Sequence, residues 1–186
     1  MTITEYYTAT TIDGFIADEH NSLDWLFPFG EAEVPERRWT DFFGRVGAMA
    51  MGATTYQWVL DHEDLLHNAG RWHEFYGDVP CWVFTHQDLP PIPGADLRFV
   101  QGDVVLVHGE MAAEAGDRTI WIVGGGELVG QFADHGLLDR IELGVAPVTL
   151  GAGAPLLPRR IELQLEELGR NGDFACARYS VTRSEI

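Results

Sequence analysis

Thr119-Ile120-Trp121-Ile122-Val123-Gly124-Gly125-Gly126-Glu127-Leu128-Val129-Gly130 is an apolar, β-branched run that stops at three glycines and resumes in residues suited to a helix. The pattern predicts a buried strand entering a helix through a turn of nearly bare backbone. Glycine lets a ligand lie against main-chain N–H groups, and the first turn of the following helix favours negative charge, so a phosphate-bearing cofactor suits the turn. Two other readings compete. Gly124-x-Gly126-x-x-x-Gly130 is a loosely spaced dinucleotide fingerprint with no clear acidic ribose ligand about 20 residues on. Alternatively, the glycines serve only close packing of strand on helix.

Working outward, the same strand-turn-helix pattern occurs earlier. Residues 47–51 are a short apolar strand, and Gly52-Ala53-Thr54-Thr55 turns from it into a helix through Tyr56, Val59 and Leu60 that starts at Thr54 or Thr55. Those two hydroxyls suit either a ligand or plain N-capping. Residues 80–85 form another apolar strand ending at Thr85-His86. Three such strand ends side by side would make one cleft for one dinucleotide.

The remaining segments fill in an α/β pattern. Residues 3–17 read as one strand bent at Asp13-Gly14, residues 21–35 as a loop, and residues 36–46 as a helix with Trp39, Phe42, Phe43 and Val46 on one face. A weaker strand at 97–100, a helix at 104–115, a helix continuing through 128–135 and a long strand at 141–150 containing Pro147 follow. Residues 161–168 and 174–181 flank Arg170-Asn171-Gly172-Asp173, and Asn-Gly between two strand-like runs signals a hairpin. The expectation is one α/β domain: a mixed, mostly parallel central sheet, helices on both faces and a C-terminal antiparallel hairpin.

Composition narrows the classes of function. The 186 residues suffice to bury about 70% of the unfolded surface, with 46% hydrophobic and 22% charged residues. No apolar run reaches the roughly 20 residues that cross a bilayer, and the first residues lack a basic and apolar leader, so a cytoplasmic protein is expected. The net charge is −17 and all twelve basic residues are arginines, which argues against nucleic-acid and anionic-membrane partners. Cys81 and Cys176 read as reduced thiols. His62 and His67 are five apart and miss the H-E-x-x-H spacing, so no metal is expected.

Several motifs in order resemble the dihydrofolate reductase superfamily, and within it the reductase domain of bacterial riboflavin biosynthesis and its stand-alone relatives. They are Thr11-Ile12-Asp13-Gly14-Phe15-Ile16-Ala17, Leu23-Asp24-Trp25-Leu26, Met51-Gly52-x-x-Thr55-Tyr56, Val123-Gly124-Gly125-Gly126-Glu127-Leu128, Gly136-Leu137-Leu138-Asp139 and Ala146-Pro147-Val148-Thr149-Leu150-Gly151-x-Gly153. The resemblance covers essentially the whole chain. It implies a three-layer dihydrofolate reductase-like fold and NADPH-dependent hydride transfer to a small heterocycle, with 5-amino-6-(5-phosphoribosylamino)uracil favoured over dihydrofolate. A dihydrofolate reductase-type pterin reductase and a non-catalytic nucleotide-binding module on the same fold are the alternatives.

The resemblance also implies roles. The glycine turn, Val123 to Leu128 with Glu127, holds the pyrophosphate, through a strained Gly-Gly peptide matched by Gly124-Gly125 or Gly125-Gly126. Gly52, Ala53, Thr54 and Thr55 contribute to the same site, and Thr85-His86 sits beside the adenosine 2′-phosphate. Ala9, Ile16 and Ala17 line the nicotinamide pocket. Ala53 stands where relatives carry a basic residue, which weakens the preference for NADPH over NADH. On the substrate side, Glu36 matches the pterin-binding acid and Trp39 a helix tryptophan, although Glu36 also suits an exposed first-turn position. Gly144 replaces a supporting threonine. Asp13 is an alternative polar contributor, Asp24 and Trp25 belong to a loop that closes over the nicotinamide, and a homodimer is implied.

Overall fold

The computed structural model describes residues 2–30 and 36–182; the side chains of residues 36–38 lie outside that description. Its elements are β1 (Thr4–Thr11), β2 (Phe15–Ala17), α1 (Phe27–Gly30), α2 (Glu36–Phe43), β3 (Val46–Gly52), α3 (Ala53–His62), α4 (Gly70–Tyr76), β4 (Cys81–Phe84), β5 (Leu97–Val100), α5 (Val104–Ala115), β6 (Thr119–Gly124), α6 (Gly126–Asp134), β7 (Arg140–Ala146), β8 (Ala154–Pro155), β9 (Leu163–Asn171) and β10 (Phe174–Val181). An eight-stranded sheet runs in the order β5-β4-β3-β6-β1-β7-β10-β9, and β2 pairs with β8 separately. The first six strands are parallel, whereas β10 is antiparallel to both β7 and β9.

Alternation along the central strands builds the two apolar layers. Ile120 and Ile122 of β6, with Ala48 and Ala50 of β3, face a core closed by Val104, Val107 and Met111 of α5 and by Leu128, Val129 and Phe132 of α6. Trp121, Met49 and Met51 face the opposite way, onto Phe42 of α2, Tyr56 and Leu60 of α3 and Trp72 of α4. Both faces of the central strands are covered, which is why they read as continuous apolar runs instead of alternating ones. Gly47 is forced by this packing: a Cβ there would lie 2.8 Å from Arg118 Cβ and 2.9 Å from Ala115 Cα.

Several boundaries differ from the sequence reading. Residues 3–17 are not one bent strand, because β1 ends at Thr11 and the chain turns so that β2 leaves the main sheet. Val46 belongs to β3 and pairs with Thr119; α2 stops at Phe43, where Gly44 and Arg45 N–H groups bond back to Thr40 and Phe42 carbonyls. Strand β7 ends at Ala146, since Pro147 has no N–H to extend the ladder. The hairpin turn is Gly172-Asp173, with Asn171 paired to Phe174, and Gly172 takes φ 55°, so the glycine occupies the first central position instead of the second. Cys81 is buried in β4 and Cys176 half-buried on β10, with no disulfide between them.

Candidate active site

Connections leave the middle of the sheet in opposite directions: β3 leads outward to β4, and β6 leads across β1 to β7. In open α/β sheets a crevice forms beyond the carboxyl ends of the strands at such a reversal. A cavity of about 870 Å³ lies there, lined from the ends of β1, β3, β4 and β6.

The two glycine-bearing turns meet in it. Met51 is in register with Gly124, and a Cβ on Gly52 would lie 3.7 Å from Gly124 O and 3.8 Å from Gly125 N. Gly52 and Gly125 are the N-caps of α3 and α6, both extended, and neither helix start has a side-chain cap. Thr54 and Thr55 therefore do not cap α3, which begins at Ala53, one residue before Thr54 and two before Thr55. Thr55 Oγ1 lies 3.4 Å from the position of a Gly124 Cβ. The peptide bond between Gly124 and Gly125 is cis.

The three glycines divide the two roles that the sequence left open. A Cβ on Gly125 would meet only Ile16 Cδ1 at 3.8 Å, so that position is bare toward the cavity. On Gly126 it would collide with the carbonyl oxygens of Pro155 and Leu156, so that glycine serves close packing. Glu127 also lines the cavity, but its carboxylate accepts two hydrogen bonds from Arg159, at 2.7 and 3.2 Å, and is held below the usual carboxylate range chiefly by them.

All the residues expected around the cofactor line this cavity: Ala9, Ile16 and Ala17; Gly52 to Thr55; Thr85 and His86; and Val123 to Leu128. Thr85 is buried and its hydroxyl is engaged in a turn, accepting from Gln87 N–H at 2.9 Å and donating to Gln87 O. Trp25 and Trp39 line the cavity as well, whereas Asp24 is exposed and outside the lining. Glu36 opens α2, one turn before Trp39, and its side chain lies outside the described residues.

Asp13, expected as an alternative polar contributor to catalysis on the substrate side, is placed elsewhere. It lies outside the lining, and its carboxylate accepts from the Thr11 hydroxyl and from the N–H groups of Leu150 and Gly151. The Thr11 hydroxyl, followed by the Gly151 N–H, holds this exposed carboxyl below its ordinary range. With its acceptors engaged, Asp13 braces the segment that leads to β8, whose Ala154 and Pro155 close one wall of the cavity.

Sequence reasoning missed most of the aromatic wall. Tyr7, Trp58, Tyr76 and Trp121 line the cavity beside Trp39. The signal was available in spacing: Tyr7 precedes Ala9 by two on a strand, Trp121 precedes Val123 by two, and Trp58 follows Thr54 by four on a helix. Among the described residues no group of three His, Cys, Asp or Glu side chains forms a metal-holding set, and His62 stacks on Trp58 with ring centroids 4.4 Å apart. No described helix is long and apolar enough to cross a membrane.

The sequence model of the RibD C-terminal domain family matches residues 58–169. The chain belongs to that family. Its relatives include YwjB, an uncharacterized protein of Bacillus subtilis (strain 168), 32% identical over 159 residues that cover 82% of this chain and 81% of YwjB. A crystal structure from Shewanella sp. PV-4, described as a candidate riboflavin biosynthesis protein, superposes with a TM-score of 0.79 at 22% identity, covering 97% of this chain and 99% of the other. The Thermotoga maritima diaminohydroxyphosphoribosylaminopyrimidine deaminase/5-amino-6-(5-phosphoribosylamino)uracil reductase matches with a TM-score of 0.64 at 14% identity, over 97% of this chain and 57% of that one. The RibD C-terminal fold is thus shared, and with it the dihydrofolate reductase-like arrangement of a mixed, mostly parallel sheet between helical layers.

The RibD-type cavity in this chain has features that suit a dinucleotide. The open space at Gly125 and two helix starts without side-chain caps offer main-chain N–H groups to a pyrophosphate. Ala53 offers no charge at its turn, and His86 is the one imidazole among the described lining residues.

Proposed function

We propose that this RibD C-terminal domain protein is an NAD(P)H-dependent reductase that transfers a hydride to an electron-poor carbon of a small heterocycle or imine. The observation that carries the reading is the meeting of two uncapped strand-to-helix turns, at Gly52 and at Gly124-Gly125, in one crevice. The bound nicotinamide supplies the hydride. The chain seats that ring against Ala9, Ile16 and Ala17, while Trp25 and Pro155 exclude water from it. The N–H groups at the starts of α3 and α6 receive the pyrophosphate, and Thr55 adds a hydroxyl. Glu36, at the start of α2, is the proposed carboxylate that hydrogen-bonds the substrate ring, with Trp39 one turn further along.

The aminouracil reduced by the riboflavin-pathway relatives is the first substrate to test, followed by pterins. Quenching of tryptophan fluorescence by NADPH and NADH tests the cofactor, and cofactor oxidation with aminouracil and pterin panels tests the reaction. Failure of both cofactors to bind at millimolar concentration would overturn the proposal; binding without turnover of any ring would leave a nucleotide-binding module. We further propose a homodimer, in which the outer strand β9, with exposed Leu163, Leu165 and Leu168, is open to a second copy. Sedimentation as a monomer at micromolar concentration would refute the pairing.

A further inference from the structure

We infer that Arg159 is a positioning residue for the cofactor: it holds the Glu127 carboxylate off the start of α6 and offsets its charge there, an inference that rests on the reading of that turn as the pyrophosphate site. Glu127 is the second residue of α6, lines the cavity and follows the uncapped turn at Gly125. Its carboxyl is ionised, since the hydrogen bonds from Arg159 hold it below the usual carboxylate range. A carboxylate in the first turn suits a helix start with no other ligand, because it meets the same N–H groups and macrodipole that a phosphate would use. Toward a bound pyrophosphate it acts in the opposite sense, as a competitor for those N–H groups and as a like charge.

Arg159 Nη2 donates to Glu127 Oε1 at 2.7 Å and Nη1 to Oε2 at 3.2 Å, while Nε donates to Asp134 Oδ2 at 2.9 Å and Nη1 also to Pro158 O at 2.9 Å. Glu127, Gly130 and Asp134 share one face of α6, so a single guanidinium bridges two carboxylates about two turns apart. It crosses the helix at Gly130, where a Cβ would lie 3.1 Å from Arg159 Cγ and Cζ and 3.2 Å from Nε; the missing side chain is what admits the crossing. The Asp134 contact fixes the guanidinium plane and aims both Nη atoms at Glu127. Arg159 reaches α6 from the segment whose Pro155 and Pro158 line the cavity, so it also joins that wall to the helix. One cation against two carboxylates leaves the group a net charge of −1. Without Arg159 it would be −2, without the Glu127 charge zero, and without either −1 again. The Glu127 side chain is 64% exposed, so water screens these charges and the effect on binding is a few-fold one.

The experiment measures the Kd of NADPH and of NADH by quenching of tryptophan fluorescence in the full chain as parent, Arg159→Met, Glu127→Gln and the double variant, with thermal melts alongside. Methionine keeps an apolar stem over Gly130 and removes the charge. Arg159→Met should weaken both cofactors alike by at least about threefold, Glu127→Gln should tighten both by at least about twofold, and the double variant should return to within about twofold of the parent. Such a return separates charge from bracing, because the double variant lacks the brace as well. Unchanged affinity in Arg159→Met, or a double variant as weak as Arg159→Met, overturns the inference. So does a loss confined to NADPH, which would put Arg159 on the 2′-phosphate. Should Arg159→Met fail to fold, Glu127→Gln decides: tighter binding of both cofactors upholds the inference, and unchanged or weaker binding overturns it. A folded parent that binds neither cofactor removes the pyrophosphate reading and the inference together, whereas a binding parent with an unmoved Arg159→Met removes the inference alone.

Discussion

Replacing Gly125 by valine and Gly126 by alanine separates a binding glycine from a packing glycine within a single turn. Gly125 has φ −90° and ψ −177°, an extended conformation that valine adopts, and a Cβ there meets only Ile16 Cδ1 at 3.8 Å. Gly125→Val should stay within about 0.5 kcal/mol of the parent in stability. The new side chain enters the space assigned to the pyrophosphate, so the Kd for NADPH should rise at least about tenfold, or ~1.4 kcal/mol. Gly126→Ala pushes a methyl group into the backbone carbonyls of Pro155 and Leu156, which have no side-chain rotamer with which to yield. Overpacking of this kind costs about 1–3 kcal/mol, and the better helix propensity of alanine returns at most about 1 kcal/mol. Because the clash is with backbone, the cost lies in the upper part of that range and leaves about 1–2 kcal/mol net, which at ~2–4 °C per kcal/mol for a domain of this length is a fall in Tm of about 2–8 °C. Thermal melts and fluorescence titrations read the two effects separately. An unchanged NADPH Kd in Gly125→Val refutes the phosphate role of the turn, and an unchanged Tm in Gly126→Ala refutes the packing role.

Ala53→Arg should raise the affinity for NADPH over NADH by at least about tenfold, because a charge-assisted contact to the 2′-phosphate contributes about 1.5–3 kcal/mol; equal affinities for the two cofactors would place the adenosine elsewhere. His108 Nε2 lies 2.8 Å from Thr4 Oγ1, and burial first of all pushes its pKa below the ordinary value, against a smaller opposing effect of Asp139. The unfolded chain therefore takes up this proton first as pH falls below about 6.5, and stability should decline from there toward the folded pKa. In urea melts from pH 8 to pH 5, His108→Gln should flatten that decline, and an identical profile would exclude His108 as its source. Asp13→Ala strips the acceptor from the Leu150 and Gly151 N–H groups. Hydrogen exchange at residues 150–155 should accelerate and cofactor binding weaken, whereas exchange at parent rates would show that this brace is dispensable.

The parts of the fold legible in the sequence were those set by local chemistry. The helix at Val104–Ala115 has the predicted boundaries because Asp103 caps it, accepting from Val105 N–H at 2.8 Å, and Gly116 ends it at φ 63°. The apolar runs that became β3, β4 and β6 announced themselves because both their faces are covered. Local pattern failed where another segment decides the outcome. Residues 15–17 look like a continuation of β1, yet they leave the sheet to pair with residues 154–155, and Gly153 is squeezed against Ala17 O. Val46 fits the apolar face of a helix, yet it pairs with Thr119.

The same division holds for the site. Sequence by itself determined the residue types that suit a phosphate-bearing cofactor: bare glycines after apolar strands and small polar residues at helix starts. Tertiary structure alone decided which of them act together. The sheet order β4-β3-β6-β1 places the turns at residues 52–55, 85–86 and 124–126 along one crevice, though they are separated by tens of residues in the chain. It also turned Asp13 toward Leu150 and Gly151 and assembled Tyr7, Trp39, Trp58 and Trp121 into one wall. Strand propensity and turn chemistry are properties of neighbours in sequence, whereas a cavity is enclosed by atoms brought together through strand order, and that order depends on the packing energy of the whole chain.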